Sequence, residues 1–422
     1  MAAAGTIARL TPCCTEPILI VNAADDRLKI LHLVSATAHT QQTLIGQLTA
    51  LATRTDRTHV NMQVVHFVPG TAHAAVLRQA GVPVHELELS RKRFAVMAFV
   101  ELLNHIRQFA PDVIHAWGHT AQLTTLAVKP FVKSLPYLLW TMPNTPPLSD
   151  TTGFIDRRKL AFLKRGAPNV QCIVYPTAAL AAQYRRNGFP DDNHTTIATG
   201  VDVDRYKPDP VARQRLRKEL KLDDRAFVIG MHAPFLPEYD YPSFVRATAE
   251  IIKYNPDVEV LVAGRGAQRG NAGIMALLGG GTLATRTTLL GEWSDLSALF
   301  NACDVVCSSA LNDSSAMMLA TAMLCGVPCV GTGKGAQGEV LSQYGIAVEP
   351  GSPNGLIRGI TRVIEMTPDK RTFMTQNARQ HVVNNYSAQG AVEKYLGLYL
   401  ELTQAREAKL RTLMSAKKAA SG

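Results

Sequence analysis

The sequence predicts an α/β protein built from two Rossmann-like domains, each an open parallel sheet with helices on both faces. Three observations predict it. Short apolar runs of strand length alternate with longer segments whose apolar residues recur at helical spacing. The alternation stops at a polar stretch, ATGVDVDRYKPDPVARQRLRKELKL, which carries Pro208 and Pro210. It then restarts at AFVIGMHAP. Parallel strands need a crossover between them, usually a helix, so an alternation run through twice points to two such sheets.

In the first half, LKILHLVSA, NMQVVHFVP and VPVHELEL are expected as strands. AHAAVLRQAGV is a helix closed by Gly81, and AVMAFVELLNHIRQFAP is a helix stopped by Pro111. DVIHAWG, YLLWTMP and QCIVYPT continue the strands, with helices over TAQLTTLAVKPF and AALAAQYRRNG. In the second half the strands are AFVIGMHAP, VEVLVAG, TTLLG, DVVCSSA, VPCVGT and GIAVEP. The helices are SFVRATAEIIKYNP, SDLSALFNAC, SAMMLATAMLCG closed by Gly326, NGLIRGITRVIEM and the segment 370–385. The boundaries that follow are a leader over 1–28, a first domain over 29–200, a second over 201–388, a closing helix over 389–404 and a basic tail over 405–422. The polar stretch is read as the linker.

Composition narrows the function classes. Apolar residues make up 46% and charged residues 18% of the 422 residues, as in an ordinary globular chain long enough for more than one core. No apolar run reaches the roughly 18 residues of a spanning helix. The first residues lack a basic start and a continuous apolar stretch, so no signal peptide is expected. The net charge of +10 is spread out, with local groups at Arg91-Lys92-Arg93, Arg185-Arg186 and 406–418. Such groups suit a solvated surface, or an anionic partner such as a nucleotide-sugar or a membrane face. Nucleic acid is not expected, because the basic groups are not interleaved with aromatics and no binding motif is present. The seven cysteines have no zinc-ribbon spacing and are read as buried reduced thiols of a cytoplasmic protein.

GVDVDRYKPD at 200–209 resembles the linker signature of the GT-B glycosyltransferases, specifically the retaining family 4 that builds polysaccharides and lipid-linked glycans. VIGMHAPFLPEYDYPSFVRA, VEVLVAGRG, LLGEWSDLSALFNACDVVCSSA and TAMLCGVPCVGT resemble pieces of its donor domain, in the family's order. Tyr386-Ser387, Val392, Tyr395 and Tyr399 resemble the closing helix, and PDVIHAWGHTAQLTTLA a strand and helix of the first domain. The resemblance implies two domains facing a central cleft. It implies a nucleotide-sugar as donor substrate, with no further cofactor and no metal, and a glycan or lipid-linked acceptor. Ligands of open parallel sheets bind beyond the carboxyl ends of the strands, so the site is expected between the domains.

Retaining transfer must hold a diphosphate leaving group and stabilise its charge, which cations and backbone donors do. The family's Arg and Lys after the first donor-domain strand correspond here to Pro234 and Tyr239, neither charged. His232, Arg265 and Arg269 are the nearest candidates to replace them; a structural His and exposed loop arginines are the alternatives. The family's paired glutamates correspond to Asp313, at the donor sugar, and Thr321, at the ribose. Ser314 and Ser315 open a helix whose backbone N–H groups suit a phosphate, while Asp313 also fits a simple helix cap. Gly264 and Gly266 keep a tight turn after the second strand. Glu292 and Trp293 stand where the family reads the base, with packing as the alternative for Trp293. In the first domain, the family's glycine-rich loop is replaced by SATAHTQQTLIG, which sets Thr37 near the acceptor. His115 is expected as a catalytic residue at a strand end and Trp117 as a sugar-facing platform, unless both pack inside. The missing cations leave a second reading open: a catalytically inactive homologue acting as the partner or regulatory subunit of an active transferase. The protein is expected in the cytoplasm, with its basic groups able to meet the inner face of the membrane.

Overall fold

The computed structural model describes residues 27–35, 42–89, 95–132, 136–143, 154–223, 225–311 and 316–420. The leader, apart from its last two residues, lies outside them. The chain divides into two compact units. One ends at Thr199 and takes in the chain again from Ala391; the other is Gly200–Gly390.

The first unit runs β1 (Leu28–Val34), α1 (Gln42–Arg54), β2 (Val60–His66), α2 (Ala72–Gln79), β3 (Val84–Glu86), α3 (Ala95–Phe109), β4 (Val113–Trp117), α4 (His119–Val128), β5 (Tyr137–Thr141), α5 (Phe154–Gly166), β6 (Cys172–Tyr175), α6 (Ala178–Arg186) and β7 (His194–Thr196). Its seven strands are parallel in the order β3-β2-β1-β4-β5-β6-β7. All of β4 and most of β1 are buried, as central strands covered on both faces must be. Local signals set the helix ends. The Thr71 and Thr177 hydroxyls cap α2 and α6 by accepting from Ala74 N and Leu180 N, and Gly81 takes a positive φ after α2.

The second unit runs α7 (Pro210–Glu219), β8 (Phe227–His232), α8 (Tyr241–Tyr254), β9 (Val258–Ala263), α9 (Ala272–Leu278), α10 (Thr282–Thr285), β10 (Thr287–Leu289), α11 (Leu296–Ala302), β11 (Val305–Cys307), α12 (Ala316–Leu324), β12 (Cys329–Thr332), α13 (Gly335–Leu341), β13 (Ile346–Val348), α14 (Pro353–Ile364) and α15 (Pro368–Tyr386). Its six parallel strands are ordered β10-β9-β8-β11-β12-β13. A last helix, α16, spans Ala388–Ala420.

Two segments differ from the sequence expectation. The stretch read as linker carries a packed helix: Asp209 caps α7, Pro210 begins it, and Arg213 and Arg217 donate to the Asp304 carboxylate at 2.8 and 3.3 Å. Asp304 also accepts from Val228 N at 2.8 Å, so one carboxylate ties α7 to β8 at the foot of β11. The basic tail, read as separate, continues the helix of α16 to Ala420. The start of the second unit is held to its end. Val201 N donates to Tyr386 O at 2.7 Å, Ala388 N donates to Val201 O at 2.9 Å, and a Cβ on Gly200 would fall on the Ala388 backbone.

Five described cysteines, Cys172, Cys303, Cys307, Cys325 and Cys329, are buried free thiols. Among the described residues no helix is long and apolar enough to cross a membrane.

From Ala391 on, α16 packs into the first unit's core through Val392, Tyr395 and Tyr399, against Ile30, Val113, Trp117 and Val174. A buried polar chain runs through this contact. Tyr399 Oη and His115 Nδ1 are 2.7 Å apart, His115 Nε2 and Thr141 Oγ1 2.7 Å, and Thr141 Oγ1 and Tyr395 Oη 3.0 Å. Trp117 Nε1 donates to His32 Nδ1 at 3.0 Å. Burial holds the His32 imidazole down to about 3 and His115 well below its usual value, the latter helped by His32. Both are neutral in the fold at pH 7, whereas an unfolded histidine titrates near 6.5. Below that pH the unfolded chain binds protons that the folded one refuses. The stability these groups contribute is therefore complete above about pH 6.5 and falls as pH drops toward 3, by up to roughly 1.4 kcal/mol per pH unit for each group. Denaturant titrations at a series of pH values should show this loss, with a shallower slope for His32→Gln.

Candidate functional site

In an open parallel sheet the ligand crevice lies beyond the strand carboxyl ends, where the strand order reverses. In the second unit that point is between β8 and β11. Four loops converge there: residues 233–240 after β8, 264–271 after β9, 290–295 after β10 and 308–311 after β11.

Main-chain hydrogen bonds stitch these loops together. Gly264 N donates to Gly291 O at 2.6 Å, Gly291 N to Ala267 O at 2.8 Å and Phe235 N to Arg265 O at 2.8 Å. Leu311 N donates to Glu238 O at 2.8 Å, and the Ser309 hydroxyl donates to Tyr239 O at 2.7 Å. Two further side chains support the frame. Tyr241 Oη donates to Ala233 O at 2.6 Å, and Asn271 Nδ2 donates to Gly266 O at 2.9 Å while its Oδ1 caps α9 through Gly273 N. The glycine at 264 is required twice over. Its φ of 139° is one that side-chain-bearing residues rarely adopt, and a Cβ there would fall on the Ala233 carbonyl oxygen.

The expected site residues are distributed unevenly around this frame. Arg265 and Glu292 are exposed at the rim, with Arg269 beside them donating weakly to Thr287 O at 3.4 Å. Gly266 takes a φ of 81° in the same turn. Trp293 is half-buried against the second core, and its Nε1 donates to Asp295 O at 3.1 Å, so part of its ring is committed to packing. His232 ends β8, edge-on to Phe300, and burial lowers its pKa. It is neutral at pH 7, which corrects its reading as a replacement cation; it can only offer a hydrogen bond. Thr321 is buried in α12 and its hydroxyl donates to Met317 O at 2.7 Å, the preceding turn of its own helix. Asp313, Ser314 and Ser315, and Thr37 in the first unit, lie outside the described residues.

Two first-unit expectations are overturned. His115 and Trp117 are fully buried. Both ring nitrogens of His115 are engaged by Tyr399 and Thr141, and the Trp117 indole N–H by His32. Two residues apart on β4, they share the face that α16 covers, and neither presents a surface to a sugar. A residue that sequence reasoning missed stands at this unit's own reversal point, between β1 and β4. Ser35 Oγ donates to Trp117 O at 3.3 Å and accepts from Ala121 N at 3.1 Å, fixing the turn into α4. Its signal was a small hydroxyl residue directly after the first strand. Ser309 and Asn271 were missed too, although Asn271 directly before a helix is a capping signal.

Two successive parallel-sheet units of this topology are the architecture of the GT-B fold. The family described as glycosyl transferases group 1 matches residues 212–381, and that described as glycosyltransferase family 4 matches residues 47–205. With the relatives and structures below, these two matches make the chain a GT-B glycosyltransferase of the family 4 type. Among solved structures, Anabaena HepE in complex with UDP and glucose superposes with a TM-score of 0.73 at 20% identity, covering 89% of this chain and 100% of that one. A GDP-mannose-dependent monoacylated alpha-(1-6)-phosphatidylinositol monomannoside mannosyltransferase of Corynebacterium glutamicum is 25% identical over 202 residues, 45% of this chain and 52% of that protein. A D-inositol 3-phosphate glycosyltransferase of Corynebacterium jeikeium is 26% identical over 227 residues, 50% of this chain and 52% of that protein. The chain spans about half the length of these curated relatives.

Replacing Gly264 by Ala should destabilise the second unit by about 2 kcal/mol or more, through backbone strain and the clash with Ala233 O. Hydrogen–deuterium exchange of the second unit's strands across a denaturant series reads this, and Gly270→Ala, where a Cβ meets nothing within 4 Å, is the control.

Proposed function

We propose that the chain transfers a sugar from a nucleotide-activated donor to a glycan or lipid-linked acceptor, with the donor held at the reversal point of the second sheet. The observation that carries this reading is the four-loop frame around Gly264, whose tight turns bring backbone groups to the place where such folds bind nucleotides. Membership of family 4 supports sugar transfer as the reaction class. UDP in one similar structure and GDP-mannose in the name of one relative make both nucleotides candidates.

In such a transfer the bond between the sugar's anomeric carbon and the diphosphate oxygen breaks. The diphosphate leaves with the bonding electrons, and an acceptor hydroxyl bonds to the carbon and gives up its proton. Stabilisation of the leaving charge governs the rate. With Pro234 and Tyr239 uncharged and His232 neutral, that charge falls to Arg265, Arg269 and the backbone N–H groups around Ser314 and Ser315. Asp313 is assigned to the donor sugar and Glu292 and Trp293 to the base, while Thr321, its hydroxyl spent on Met317 O, is left without the ribose role. Polysaccharide or glycolipid assembly is the setting that fits.

The same uncharged positions favour one other reading: a non-catalytic family member that supports an active transferase. A thermal-shift panel with UDP-, GDP- and ADP-sugars separates the two. A donor bound only by the folded state adds roughly 2.7 kcal/mol of stability at a hundredfold excess over its Kd. We expect a shift with one nucleotide class, reduced in Arg265→Ala, and sugar transfer lost in Asp313→Ala. No shift with any nucleotide at millimolar concentration would favour the non-catalytic reading.

A further inference from the structure

We infer that the helix layer formed by α3, α4, α5 and α6 is the surface by which the protein docks on an anionic lipid bilayer. These four helices cover one face of the first sheet. Leu102 and Ile106 of α3, Ala121 of α4, Leu163 of α5 and Leu180 of α6 share one core with Leu31, Ile114, Leu138 and Ile173 of the strands. The helices α1 and α16 pack in the other core, against the opposite face.

The outward side of this layer is unusual in two ways. First, it exposes large apolar side chains at three separate places. Val96 and Met97 at the start of α3 are 75% and 74% exposed, with Val100 one turn on at 50%. Phe131, just past α4, is 53% exposed and touches Phe99 of α3 edge-on, and Phe162 in the middle of α5 is 58% exposed. Second, α5 is strongly cationic: its sequence FIDRRKLAFLKRG carries five basic residues and one acid, Asp156, which bonds Lys159 at 3.2 Å. At helical spacing Arg157, Arg158, Ala161, Phe162 and Arg165 fall on one outward arc, and all five are exposed, while Leu160 and Leu163 turn inward.

Scattered apolar tips among arginines suit a bilayer better than a protein groove. Each tip can enter the headgroup layer alone, whereas a protein partner needs a contiguous apolar core. The basic stripe supplies attraction to anionic headgroups, and guanidinium groups pair with phosphates. The whole chain, at +10, repels neither. That a lipid-linked acceptor is met at this surface rests on the proposed transfer. The docking does not, because it is read without any donor.

The test is sedimentation of the full chain with vesicles of equimolar phosphatidylglycerol and phosphatidylcholine, against pure phosphatidylcholine. Binding is expected on the anionic vesicles only. The pair Arg158→Glu and Arg165→Glu should weaken it by roughly tenfold or more. The pair Met97→Ser and Phe162→Ser should also weaken it severalfold, and neutralising Lys409, Arg411, Lys417 and Lys418 in the tail should leave it intact. Phe162→Trp, a conservative change at an exposed site, should shift its emission to the blue when anionic vesicles are added. No binding to anionic vesicles, binding that ignores the α3 and α5 substitutions, binding lost on tail neutralisation, or unchanged Phe162→Trp emission would each overturn the inference. None of these outcomes bears on donor binding, so failure here leaves the proposed transfer to its own test.

Discussion

A carbonyl oxygen of Ala233 sits where residue 264 would carry a side chain, and the second unit's functional edge is organised around that exclusion. Because Gly264 has no Cβ, the turn after β9 can lie against the loop after β8. Its N–H then reaches Gly291 after β10, and Phe235 N reaches back to Arg265 O. Ser309 and Leu311 bind the same assembly to the loop after β11. Each bond is ordinary in strength, but together they leave the reversal point with a fixed backbone contour, so a ligand there would meet a preformed surface rather than loops it must order.

The first unit is built on a different constraint. Its core is closed by a helix from the far end of the chain, and α16 brings two tyrosine hydroxyls into a fully buried setting. Burying hydroxyls without partners is costly, so His115 and Thr141 answer them, and His32 answers Trp117. The arrangement makes α16 specific to this sheet, since an apolar stripe alone would tolerate a register shift that a fixed pair of hydroxyl partners does not. It also explains why His115, near the carboxyl end of its strand, has both ring nitrogens engaged inside.

Much of the fold was legible in the sequence because parallel strands buried on both faces read as unbroken apolar runs, and those between Leu28 and Val348 stand out. The boundaries that misled had local causes. Residues 210–219 looked like linker because the stretch is polar and follows Pro208 and Pro210 closely, yet Asp209-Pro210 is a helix start and two of the arginines are consumed by Asp304. The final helix runs past Gln404 because nothing in the Ala- and Lys-rich tail breaks it. For the site, glycines were the most readable residues, because a turn with positive φ leaves few alternatives. Side-chain roles were less readable. Sequence alone does not tell whether His115 or Thr321 faces outward or spends its polar atoms inside, and both spend them inside.

The measurement closest to the central claim is hydrogen–deuterium exchange with and without a nucleotide-sugar. If the four loops of the second unit form the donor site, ligand should slow exchange in residues 233–240, 264–271, 290–295 and 308–311 together, and leave β10 and β13 unchanged. Protection confined to the first unit, or absent from all four segments at saturating ligand, would contradict it.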